Sequence, residues 1–146
     1  MITLLAVVLW AALAAIAVLH AFWGLGSHWP CESEESLVRT AGGTPGATRM
    51  YPPSACFTVA AMLGGVSTWP LFAAGLLPAA WPSWLTALAG SAIAAVFVVR
   101  GIAGYVPAWR RLHSAEPFAT LDRRIYAPLC FALGAGFIII LLRGPQ

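Results

Sequence analysis

Four apolar stretches constrain this chain more than anything else in it. Ile2 to Phe22 contains no Asp, Glu, Lys or Arg. A hydrocarbon core about 30 Å thick is crossed by roughly 20 helical residues, so this run is long enough to span a bilayer. Three more runs without such residues follow, at about 55–77, 83–99 and 125–142. A soluble domain devotes roughly a quarter of its residues to Asp, Glu, Lys and Arg. Here the share is 9%, against 60% hydrophobic, which is too little to cover a water-facing surface. The fold class that follows is all-α: an integral membrane four-helix bundle, with residues 1–146 forming one domain. No Lys or Arg precedes the first run, and a cleaved signal wants a positive leader and a shorter apolar core. We read that run as a retained span.

The polar residues sit between the runs. Ser27 to Ser54 is a long connection holding His28, Cys31, Glu32, Glu34 and Glu35, then a Gly/Thr/Pro-rich stretch ending in Tyr51-Pro52-Pro53. Ser33 to Arg39 is predicted to make a short helical turn within it. Pro78 to Pro82 is a tight, uncharged turn. Trp109 to Tyr126 is densely charged and carries Arg110, Arg111, Arg123 and Arg124. With four spans, the first and third loops share one side. That side holds Arg39, Arg49, Arg100, Arg110, Arg111, Arg123 and Arg124, and the other holds only Arg143. By the positive-inside rule, the long loops are expected in the cytoplasm and both termini outside. The net charge of +3 comes from loops and involves no lysine. It reads as an orientation signal or a contact with anionic lipid; no nucleic-acid pattern accompanies it.

Within the spans, Pro70 removes a helical hydrogen bond and is expected to kink its helix, with the hydroxyls of Thr58, Ser67 and Thr68 placed to satisfy the freed carbonyl. Ala87, Ser91 and Ala95 recur every four residues, a spacing that lets helices approach closely. Gly134 and Gly136 are further small contact points.

Candidate functional residues collect at one membrane face. His20, near the end of the first span, is the sharpest, because an ionisable group there is costly. It can move a proton or ligate a metal, or it can be a neutral histidine hydrogen-bonded to a loop carbonyl or to Tyr126. Arg100 either snorkels to the phosphates or pairs with Asp122 or an acidic substrate group. Asp122 in turn is placed to cap a helix starting near Arg123. Trp23, Tyr105, Trp109, Arg124 and Tyr126 complete the candidate binding set. No pair has the helical spacing of a metal site, so none is assigned, and no cofactor is indicated. Cys31 and Cys56 bracket the first loop, but a reducing cytoplasm argues against a disulfide. Cys130 reads as a small buried hydrophobe.

Three pieces of the chain resemble one family. They are His20-Ala-Phe-Trp23-Gly24-Leu-Gly26, Gly104-Tyr105, and Leu121-Asp122-Arg123-Arg124-Ile-Tyr126-Ala-Pro128-Leu129-Cys130. Together they resemble the small four-span bacterial membrane proteins catalogued as a domain of unknown function. That family often has tyrosine and a double glycine where this chain has Phe22 and Gly24-Leu25-Gly26. The expected location is the cell's inner (plasma) membrane. The resemblance marks His20, Trp23, Asp122, Arg124 and Tyr126 as residues from distant segments that share one face.

Two functions fit. The first is a binding or accessory module for a small apolar or amphiphilic ligand such as a lipid, quinone or isoprenoid, or for a larger membrane-protein partner. The second is a membrane enzyme doing proton-transfer chemistry on a lipid-like substrate, with His20 moving the proton, Asp122 orienting it, and Arg100 or Arg124 holding an anionic head group. A transporter is weaker, because no charge sits at mid-span.

Overall fold

The computed structural model describes residues 1–144, and all regular structure among them is helical. Helix α1 spans Ile2–Gly24, α2 Glu34–Leu37, α3 Pro53–Ala73, α4 Ser83–Ala103, α5 Pro107–Leu112, α6 Phe118–Leu121 and α7 Ala127–Arg143. Two π-helical turns interrupt the pattern, Val38–Gly42 after α2 and Asp122–Tyr126 between α6 and α7. Four helical stretches are long and apolar enough to cross a membrane: α1, α3, α4, and the continuous Phe118–Arg143 that ends in α7.

The ends of these helices are set by local chemistry. Proline suits the first helical position, where its missing N–H is no loss; α3 opens on Pro53 and α5 on Pro107. Ser33 Oγ accepts the Ser36 N–H and so starts α2, as expected for the 33–39 segment. The second span is shorter at its end than expected. It stops at Ala73, because Gly75 adopts φ +72° and turns the chain. The third is longer, running to Ala103, because Arg100 finds a partner and need not end the helix. The fourth begins earlier, at Phe118, because Asp122 also has a partner.

Helix α1 packs chiefly against α3, and α4 against α7; α1–α7, α3–α4 and α3–α7 contacts join the two pairs. Leu9, Leu13, Trp69, Ala94, Leu133, Phe137 and Ile140 form the shared core. Small residues decide how closely it closes. A Cβ on Gly136 would stand 2.9 Å from Leu9. One on Gly90 would overlap the Trp69 ring, whose Nε1 donates to the Thr86 carbonyl at 2.8 Å. The close-approach face of α4 is therefore Gly90, Ala94 and Gly101, all buried. Ala87, Ser91 and Ala95, the face expected from spacing, are exposed. Small residues cover most of α4 from 87 to 95, so spacing alone does not select the inner face. The hydroxyls near Pro70 also go elsewhere than expected. Thr58 donates to Ser54, Ser67 to Gly64 and Thr68 to Gly65. None reaches the Val66 carbonyl, which Pro70 leaves without its i+4 donor.

The outer faces are oily. Leu4, Met62, Leu88, Val96, Val99 and Leu142 are each at least 60% exposed. Apolar surface on that scale suits lipid as the surrounding solvent.

Candidate functional site

The end of the bundle where α1 finishes and α3 starts also carries the end of α4, all of α5 and the approach to α7. Two arrangements of polar side chains form there.

The first is built on Asp122. It opens the π turn before α7, and its side chain points into the protein, where the residue is 2% exposed. Arg100, from the last turn of α4, donates from Nη2 to Oδ1 at 2.5 Å. Trp109, from α5, donates from Nε1 to Oδ2 at 3.1 Å. The guanidinium of Arg100 lies over the Trp109 ring, 4.9 Å from its centroid. His113 stacks on Trp109 at 4.0 Å and its Nδ1 meets the Trp109 carbonyl at 3.1 Å. Gly104 permits this closeness, since a Cβ there would stand 2.7 Å from Ala127 and 3.2 Å from the carboxylate. A charge this deep is costly unless paired and hydrogen-bonded, and here both carboxylate oxygens have donors. Arg100 Nη1 is buried without a hydrogen-bond partner among the described residues. Asp122 caps no helix, contrary to one expectation. Its side chain is taken by longer-range donors that stabilise more than a terminal N–H.

The same region ties the long loops together. Tyr126 Oη donates to the Thr40 carbonyl at 3.1 Å, Arg39 Nε to the Glu116 carbonyl at 3.2 Å, and the Ala115 N–H to the Gly43 carbonyl at 3.1 Å. Gly43 has φ +71° and lies so close under Phe118 that a Cβ would overlap the ring. Tyr105 Oη donates to the Arg123 carbonyl at 3.0 Å.

The second arrangement is a cleft of about 300 Å³ lined by His20, Trp23, Ala41, Met50, Tyr51, Ala55, Cys56 and Val59. His20 is half-buried, and its Nδ1 meets the Ile16 carbonyl of its own helix at 2.8 Å. Its ring packs on Trp23 at 4.7 Å, and Trp23 Nε1 donates to the Trp29 carbonyl at 2.8 Å. The other wall comes from the first loop and the start of α3, where Cys56 Sγ approaches the Tyr51 carbonyl at 3.9 Å. All three cysteines are free.

The structure thus brings Arg100, Trp109 and Asp122 into one cluster and sets Tyr105 and Tyr126 beside it, their hydroxyls donating to backbone carbonyls. It does not join His20 to Asp122 or to Tyr126. His20 turns back to its own helix, where an i−4 carbonyl is always within reach, and Tyr126 is occupied by Thr40. Trp23 belongs with His20, and Arg124 lies on the exposed side of the π turn. Thr40, Met50, Tyr51 and Cys56 carry no sequence signal as wall or partner residues beyond the aromatic-proline step Tyr51-Pro52-Pro53 at the entry to α3. Among the described residues no group of three or more His, Cys, Asp or Glu side chains is gathered for a metal ion.

Residues 13–137 match the family described as "Protein of unknown function (DUF3995)". No significant match is found among curated proteins or among solved structures.

Proposed function

Since the chain belongs to this family of proteins of unknown function, its activity is read from its own geometry, and we propose that it is a membrane-embedded binding module for a small amphiphile held in the His20 cleft. One observation carries the reading. A carbonyl oxygen only accepts, so the bond to Ile16 places the ring proton on Nδ1. Among the described residues Nε2 makes no hydrogen bond, so that edge of the ring is open to a ligand's hydroxyl. His20 itself lines a cleft whose other walls are largely apolar. At about 300 Å³ the cleft is at the small end of ligand sites. The ligand that fits has an apolar body and one hydroxyl or similar donor. A lipid alcohol, an isoprenoid alcohol or a quinol has that chemistry.

The same reading places the protein in the bacterial inner membrane, with both long loops in the cytoplasm and the termini outside. The seven-to-one distribution of arginines supports that orientation. The proton-transfer alternative gains no support, because the carboxylate meant to orient His20 is held by Arg100 and Trp109.

The test is extraction in mild detergent followed by mass spectrometry of bound small molecules. His20→Ala removes one hydrogen bond and is expected to weaken retention by roughly three- to tenfold, the equivalent of about 0.5–1.5 kcal/mol. Ala55→Leu fills the cleft and is expected to abolish retention. Retention unchanged in both variants would refute the assignment.

A further inference from the structure

A separate feature on the other side of the π turn points to a second ligand. Arg123 and Arg124 follow Asp122 directly, yet their side chains are exposed where that of Asp122 is buried. With Tyr105 and Thr120 they line a cleft of about 190 Å³. Among the described residues the only ion pair is Arg100–Asp122, so neither guanidinium has a carboxylate partner. Among the described residues the Thr120 hydroxyl makes no hydrogen bond, while the Tyr105 hydroxyl proton is given to the Arg123 carbonyl. Glu116 adjoins the cleft, its Oε2 accepting the Thr120 N–H at 3.2 Å. The cleft therefore presents two guanidinium groups without carboxylate partners and an exposed hydroxyl, with the Glu116 carboxylate tied to the Thr120 N–H. Beside it, Ile125 in the π turn and Leu129 in α7 are 51% and 40% exposed, and on α4 Ile102 is 50% exposed. A charged cleft at the head of an oily wall matches a molecule with an anionic head and apolar tails.

We propose that Arg123, Arg124 and Thr120 bind the phosphate of an anionic phospholipid whose acyl chains lie along the apolar surface beneath. The guanidinium fork suits a phosphodiester because it donates two parallel hydrogen bonds. Arg110 and Arg111 in α5 are also exposed and also lack carboxylate partners, but they do not line the cleft. They provide the control for general surface charge. The site is independent of the His20 cleft and stands or falls separately.

The experiment reconstitutes the full chain in nanodiscs of phosphatidylcholine with a minor share of phosphatidylglycerol. Lipid retained on release from the disc is read by native mass spectrometry. Wild type and R110Q/R111Q are expected to enrich phosphatidylglycerol over phosphatidylcholine. R123Q/R124Q is expected to lose that preference by on the order of tenfold, since each near-surface arginine contributes appreciably to holding an anionic lipid. Thr120→Val, which keeps shape and charge, is expected to weaken it by a smaller factor. Equal loss in the two double variants would reduce the effect to bulk surface charge and overturn the site. Full displacement of the lipid by inorganic phosphate would show a soluble phosphate ligand and overturn the lipid assignment. Unchanged preference in R123Q/R124Q would overturn both.

Discussion

Removing either partner of the Arg100–Asp122 pair destabilises the bundle, but by unequal amounts. The Asp122 side chain is 3% exposed and that of Arg100 is 30% exposed. Arg100→Met strands a carboxylate with only the Trp109 indole as donor. Breaking a buried pair in this way costs about 3–5 kcal/mol. Asp122→Ala strands an arginine instead. Its long stem lets the head reach water or lipid phosphates, and the loss falls to about 2 kcal/mol, near one charged hydrogen bond. In the double variant the orphan charge is gone, so R100M/D122A is expected to cost no more than R100M alone. That gives about 2 kcal/mol of non-additivity. The assay is reversible unfolding in mixed dodecyl maltoside–SDS micelles, followed by tryptophan fluorescence. The reasoning fails if Asp122→Ala is the costlier single change, or if the double variant equals the sum of the two.

Gly90→Ala places a methyl in the Trp69 ring and is expected to cost about 1–3 kcal/mol from overpacking; in the same micelle assay, adding Trp69→Leu should recover part of the loss. Gly43→Ala meets both a positive φ and the Phe118 ring. It is expected to undock the first loop, seen as faster proteolytic nicking between residues 39 and 50 while the spans stay intact.

The parts of this architecture that sequence reveals are those set by short-range chemistry. The runs in α1, α3, α4 and α7 are visible because no charge interrupts them, and Arg100 and Asp122 suggest each other because each is a charge set beside a greasy run. Their link to Trp109 depends on α5 folding back, and nothing local in Pro107–Leu112 specifies that direction. The inner face of α4 is hidden because small residues surround it, and only the bulk of Trp69 selects Gly90. His20 was the most conspicuous polar residue, yet its partner is its own helix. The bond expected between His20 and Tyr126 does not form; Tyr126 donates instead to the Thr40 carbonyl, and a backbone acceptor leaves no trace in side-chain identity.

The ties between the long loops have a consequence for how the chain is assembled. The first loop lies within the α1/α3 hairpin and the third within the α4/α7 hairpin. The bonds from Tyr126, Arg39 and Ala115 therefore run from one hairpin to the other. The covalent connection between hairpins, Gly75 to Pro82, carries no charge and sits at the opposite end. The two hairpins are thus joined through the shared core and latched at one rim by hydrogen bonds of their own. Cut at that connection and made as separate polypeptides, they are expected to re-associate in the bilayer, read as co-purification of the two pieces.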